Sequence, residues 1–157
     1  MQIKVSKNIR KIKFRCVKCG NCCKAFLYEK WRLELYRNEV EYLEKIGYKD
    51  FYYQRSGSFF MRTSSHGCYF LQGNRCQLIL RHKWYPWNCS LFPLQLVKTA
   101  EIIEIRLNPA AEDICNGIGY GKYLNNRIKE IINQVKYFMT YGEPDIYGRR
   151  FYSRKDE

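Results

Sequence analysis

The sequence predicts a small single-domain α+β fold pinned together by its cysteines. Three observations point there. Eight cysteines fall in 157 residues, grouped at Cys16, Cys19, Cys22 and Cys23 and then spaced singly at Cys68, Cys76, Cys89 and Cys115. Short strand-like runs alternate with turn residues through the middle of the chain, and a long helical stripe follows near its end. A hydrophobic fraction of 46%, with 17% of the chain aromatic, supplies a packed core and excludes wholesale disorder.

Taken in order, residues 2–15 are basic with scattered apolar positions (Ile3, Val5, Ile9, Ile12, Phe14), the pattern of a strand or a docking arm. The cysteine loop follows at 16–23, then short extended pieces at 25–28 and 32–35. Asn38 reads as a helix N-cap, with Glu41 three residues on completing a capping-box pattern. Val40, Leu43 and Ile46 carry the helical spacing, and Gly47 suits the left-handed position after the helix end. Residues 58–63 read as a strand. The segment from Cys68 to Cys76 should turn at Gly73-Asn74, and a short helix is expected at 77–81, ended by Pro86. Residues 95–97 and 101–107 resemble two strands joined around 98–100.

Asn108-Pro109 breaks that pattern, and Cys115 precedes the run Gly117-Ile118-Gly119-Tyr120-Gly121. A helix over 122–141 is the firmest expectation, because Leu124, Ile128, Ile131, Ile132, Val135, Phe138 and Met139 recur at three- and four-residue spacing. Gly142 and Pro144 stop it. The chain thus divides into a basic N-terminal arm (1–15), a cysteine domain (16–142) and a basic tail (143–157), mobile after Gly148.

The net charge is +13 and unevenly placed. Residues 1–28 hold Lys4, Lys7, Arg10, Lys11, Lys13, Arg15, Lys18 and Lys24 without an acid, and residues 51–100 are again acid-free. Two roles compete for this charge: offsetting grouped thiolates, or attracting phosphate backbones and other acidic partners. An ordinary solvated basic face is the plainer alternative. No apolar run suits a membrane span or a signal-peptide core, so a cytoplasmic protein without a membrane partner is expected. In a reducing compartment clustered cysteines hold metal more often than they form disulfides.

The run Cys16-Val17-Lys18-Cys19-Gly20-Asn21-Cys22-Cys23 carries the chemistry. A gap of two lets two thiolates converge on one ion, and Gly20 can take a positive φ that aims amides at the sulfurs. The second gap of two adds Cys22. Three cysteines so spaced match the corners of a [4Fe–4S] cluster with a remote fourth ligand, while tetrahedral Zn2+ is usually built from paired hooks. Both cofactors stay open, with the iron–sulfur cluster preferred. The remaining ligands would come from Cys23, Cys68, Cys76, Cys89 and Cys115, in one centre or two. His66 is a weaker ligand candidate, and His82 weaker still.

The sequence resembles the YkgJ-type CxxCxxCC proteins, a family described as chelating zinc or iron. The resemblance runs through residues 14–122: Cys16-x-x-Cys19-Gly20-x-Cys22-Cys23, then Cys68-Tyr69-Phe70-Leu71, Asn74-Arg75-Cys76-Gln77-Leu78, Pro86-Trp87-Asn88-Cys89 and Cys115-Asn116-Gly117. Tyr85 stands where the family usually has an arginine. A related group, the flagellin lysine-N-methylases, carries a similar cysteine set in larger chains. The resemblance therefore implies metal binding at all eight cysteines, and an iron–sulfur-dependent lysine methyltransferase-like enzyme as the alternative to a non-catalytic module acting on RNA, DNA or an acidic protein.

Two further features bear on partners. The glycine run at 117–121 could cradle an anion or simply make a tight packing turn. Trp84, Tyr85 and Trp87 beside Arg81 and Lys83 suit either stacking on single-stranded nucleic acid or core packing around Cys89.

Overall fold

The structure is a computed structural model that describes residues 1–16, 20–25 and 32–147, leaving aside the side chains of Ala25 and Asn126. It mixes short helices with short strands. In chain order these are β1 (Gln2–Val5), β2 (Lys13–Phe14), α1 (Asn21–Ala25), β3 (Glu34–Leu35), α2 (Arg37–Lys45), β4 (Tyr52–Arg55), β5 (Ser58–Met61), β6 (Thr63–Ser64), β7 (Gly67–Cys68), β8 (Leu71–Gln72) and β9 (Arg75–Cys76). Then come α3 (Gln77–His82), α4 (Trp87–Leu91), β10 (Leu94–Lys98), β11 (Ile102–Leu107), α5 (Ala111–Ile114), β12 (Lys122–Tyr123) and α6 (Ile128–Tyr141). Helical 3-10 turns cover Lys7–Lys11 and Leu124–Arg127.

Two apolar cores divide the molecule. The first gathers Leu33, Leu35, Val40, Leu43, Phe51, Met61, Phe70, Leu78 and Trp84 under α2 and the antiparallel sheet β3-β5-β4. The second gathers Ile9, Phe14, Trp87, Leu91, Ile103, Ile105, Leu124, Ile131 and Val135 between α6 and the sheet β1-β11-β10. Alternation along β11 explains that sheet: Ile103 and Ile105 are buried, and Glu104 and Arg106 are not. The β10–β11 hairpin closes as its sequence suggested, with Leu94 opposite Leu107 and Lys98 opposite Ile103.

The N-terminal segment is built into the second core. Residues 2–5 pair in parallel with 102–105, and Ile9 is completely buried. A strand rather than a loose arm forms because Ile3, Val5 and Ile9 can cover β11 only from there.

Several local expectations hold. Gly73-Asn74 links β8 to β9, α3 spans the expected short helix, and Gly47 takes φ +107° after α2. Others shift. α2 begins two residues early: Tyr36 is its N-cap, and Glu39 rather than Glu41 reaches back, its Oε2 accepting from the Tyr36 N–H at 3.3 Å. Asn38 therefore falls inside the first turn, where its Nδ2 donates instead to the Pro144 carbonyl at 2.7 Å. Pro86 does not end α3, which stops at His82 with Lys83 in the left-handed region; Pro86 is the N-cap of α4, a helix absent from the sequence reading.

The long helix also starts late. Lys122 and Tyr123 pair with Phe14 and Lys13, a 3-10 turn follows at Leu124–Arg127, and the α-helix begins only at Ile128. Tertiary pairing outcompetes helix periodicity there, although Leu124 still buries its side chain. The segment after α6 is partly tied down, with Pro144 and Ile146 buried and the Trp84 indole N–H donating to the Ile146 carbonyl. The expected extended piece at 25–28 begins on Ala25, which ends α1, and otherwise lies outside the described residues, as do Cys19 and the mobile tail expected after Gly148.

Candidate metal centre

Five cysteines line one cavity of about 640 Å³: Cys22 and Cys23 from α1, Cys68 from β7, Cys76 from β9 and Cys89 from α4. Each is delivered by a short element held by local chemistry. Gly20 takes φ +74° directly before α1, and Lys24 fixes the helix against the Gly73-Asn74 turn by donating to Asn74 Oδ1 at 3.0 Å. Gly67, at φ +136°, lets β7 press on α1; a β-carbon there would stand 2.8 Å from the Cys23 carbonyl. Cys76 ends the β8–β9 hairpin opposite Leu71.

Cys89 is positioned by a buried carboxylate. Glu39 is 0% exposed, and its Oε1 accepts from the backbone N–H of Trp87 at 2.7 Å. Trp87 opens α4, so Glu39 ties α2 in the first core to the helix that carries Cys89. Asn88, beside it, donates to the Glu34 carbonyl at 3.0 Å. Glu39 escaped the sequence reading, which looked for its acid at position 41. An acid three residues after Tyr36 is the signal that could have found it.

The thiols feel one another. The Cys23 thiol is pushed up by its hydrogen bond with Cys22, then by burial, with Cys89 and Cys68 adding to the rise. Burial pushes Cys68 up to about 12, Cys76 and Cys22 reinforcing it. Cys89 moves the same way, through burial first and then Cys68, Cys76, Cys22 and Glu39. Thiols that raise each other in this fashion share a low-dielectric neighbourhood, where several thiolates persist only against a cation.

The donor set fits a thiophilic metal in kind: five cysteines from four segments between Cys22 and Cys89 line one cavity, without a competing carboxylate shell. As placed, the Cys22 and Cys23 thiols hydrogen-bond each other, and among the described residues no three His, Cys, Asp or Glu side chains close on one ion.

Cys16 and Cys115 lie elsewhere. Both pack against the second core, and neither lines the cavity. Their segments are drawn together by the Arg15 N–H on the Gly117 carbonyl at 3.1 Å and by Asn21 Nδ2 on the Ile114 carbonyl at 2.8 Å. His66 is exposed, and the His82 ring bonds the Tyr48 hydroxyl at 2.8 Å; neither lines the cavity.

The other two sequence features resolve into packing. Trp84, Tyr85 and Trp87 are all buried; the Trp87 indole donates to Gln134 Oε1 and its ring stacks on Phe138, so these rings are closed to nucleic-acid bases. Gly117 and Gly121 lie so close to Arg15 and Phe14 that a β-carbon at either would run into backbone. The glycine run is a packing element leading into β12, and no α-helix N-terminus follows it directly.

A cavity walled by cysteines from separated segments defines a cysteine-cluster protein. The comparison with known families agrees: residues 15–116 match the family described as "CxxCxxCC: Putative zinc- or iron-chelating domain". The chain belongs to that family, and no curated protein and no solved structure matches it. Among the described residues, no helix is long and apolar enough to cross a membrane.

Proposed function

We propose that this chain is a non-catalytic metal-binding module whose centre is an iron–sulfur cluster held by thiols drawn from Cys22, Cys23, Cys68, Cys76 and Cys89, and that it works by engaging nucleic acid or another acidic partner. The convergence of five cysteines on one cavity carries the reading. A structural zinc site is closed and takes four ligands. A [4Fe–4S] cluster likewise takes four cysteines, and a cavity of about 640 Å³ leaves room for a group larger than a single ion. Bound there, a cluster would cross-link α1, β7, β9 and α4 and hold the short elements in register. No described residue favours the methyltransferase-like enzyme.

Anaerobic purification followed by absorption spectroscopy and elemental analysis tests the metal. Iron with acid-labile sulfide and a brown chromophore supports the cluster. Stoichiometric zinc in a colourless protein overturns the cluster and keeps the site, and absence of both metals overturns the centre itself.

A further inference from the structure

We infer that the ribbon formed by β2 and β12, with the turns that flank it, is a docking surface for single-stranded nucleic acid. This rests on the proposed module reading and gives its partner a place and a class. Two acid-free stretches, residues 1–16 and 114–129, come together here although about a hundred residues separate them. The Leu124 N–H donates to the Ile12 carbonyl at 2.8 Å, and the Gly119 N–H to the Lys13 carbonyl at 2.9 Å. Lys13 stands opposite Tyr123, and Phe14 opposite Lys122.

The paired segments carry bases and no acid. Arg10, Lys11, Lys13, Arg15 and Lys122 are all exposed on these paired segments. Lys4 differs, since its sheet partner is Glu104. Aromatic rings are interleaved with these bases: Tyr120 is 59% exposed and Tyr123 47%. Other tyrosines are exposed too, Tyr69, Tyr141 and Tyr147 among them, but Tyr120 and Tyr123 are the pair that stands on these basic segments. The Lys13 ammonium lies 5.0 Å from the centre of the Tyr123 ring, placing a phosphate-binding cation beside a stacking face.

Bases flanking exposed rings are the arrangement that binds single strands, with phosphates on the cations and unpaired bases stacked on the aromatics. Duplex DNA presents its bases only as groove edges, and the two-residue strands of this ribbon are too short to lie along a groove. An acidic protein would satisfy the charge but leave the tyrosines without a role.

Fluorescence anisotropy on the full metal-loaded chain, with labelled oligo(U) and oligo(dT), tests the assignment. Lys11→Gln with Lys13→Gln should weaken binding and flatten the log–log salt slope by about 1.4, from ~0.7 per phosphate contact on single strands. The matched pair Lys45→Gln and Lys49→Gln, on and just beyond α2, should leave both unchanged. Tyr120→Ala and Tyr123→Ala should each cost at least about fivefold, and Tyr→Phe at either position should restore binding. An unchanged absorption spectrum shows that a variant still holds its centre. Equal losses for the two lysine pairs, no effect of the tyrosines, tighter binding to duplex, or equal binding of polyglutamate would overturn the ribbon assignment. Failure of the unaltered chain to bind any polyanion at low salt would instead overturn the module reading beneath it.

Discussion

The two halves of the molecule are stabilised by different means. Around the second core, β10 and β11 pair over five residues, β1 adds four more, and the 14-residue α6 covers them with Ile128, Ile131 and Val135. Around the cysteine cavity, β6, β7, β8 and β9 are two residues each and α1 and α4 five each. Helices and hairpins that short are marginal alone. The comparison teaches that the second core rests on long pairings and one long helix, whereas the short pieces that carry the thiols meet at the cysteine cavity and lean on the first core.

Removing the metal should break the comparison most visibly. Structural metal contributes folding free energy on the order of 10 kcal/mol in small domains. Hydrogen exchange of the chelated protein should show amides in 67–91 losing protection while those of β10 and β11 keep theirs. Uniform loss across both halves would show one cooperative unit. Cys89→Ser and Cys115→Ser sharpen the point: the first should strip metal and lower the melting temperature steeply, and the second should leave metal content intact.

Acidity supplies the next test. Burial and neighbouring thiols hold Cys23, Cys68 and Cys89 above their ordinary range, Cys68 at about 12, so at neutral pH each must lose a proton as it takes the metal. Apparent affinity should therefore rise with pH, about tenfold per unit for each proton released. Competition against a chromophoric chelator between pH 6.5 and 8 measures the slope. A flat profile would mean that the ligands are already thiolates.

Glu39 joins the halves, and its loss should be intermediate. Glu39→Ala leaves the buried Trp87 N–H without its acceptor and takes the Glu39 bond from Tyr36, at about 1–3 kcal/mol per group. Glu39→Gln keeps one acceptor and should cost less. Denaturant unfolding measures both, and a loss below about 0.5 kcal/mol for Ala would show that the seam is held elsewhere.

The smallest expected effect lies in the apolar half. Gly117→Ala drives a methyl group against the Arg15 carbonyl and should cost about 1–3 kcal/mol of stability without changing metal content. A change in metal content would tie the Arg15–Gly117 contact to the centre.

Much of the local structure was legible before any coordinates. The turn at Gly73-Asn74, the β10–β11 hairpin, the left-handed glycines at 20 and 47 and the interior face of α6 all follow from residue type and short spacing. The identity of the cysteines as the organising residues was equally plain from Cys16 through Cys23.

Their partition was not. Spacing grouped Cys16 with Cys22, but the structure sends Cys22 to the cavity and Cys16 to the second core beside the segment of Cys115. The start of α6 failed to show for the same reason, because Lys122 and Tyr123 answer to Lys13 and Phe14 rather than to their own helical periodicity. The aromatics of 84–87 and the carboxylate of Glu39 likewise took their roles from α2, α6 and the segment beyond α6. Periodicity, caps and turns are local and can be read along a chain. Pairing, burial and which thiols face one another depend on segments that meet only when the chain has folded, and those the tertiary structure alone decided.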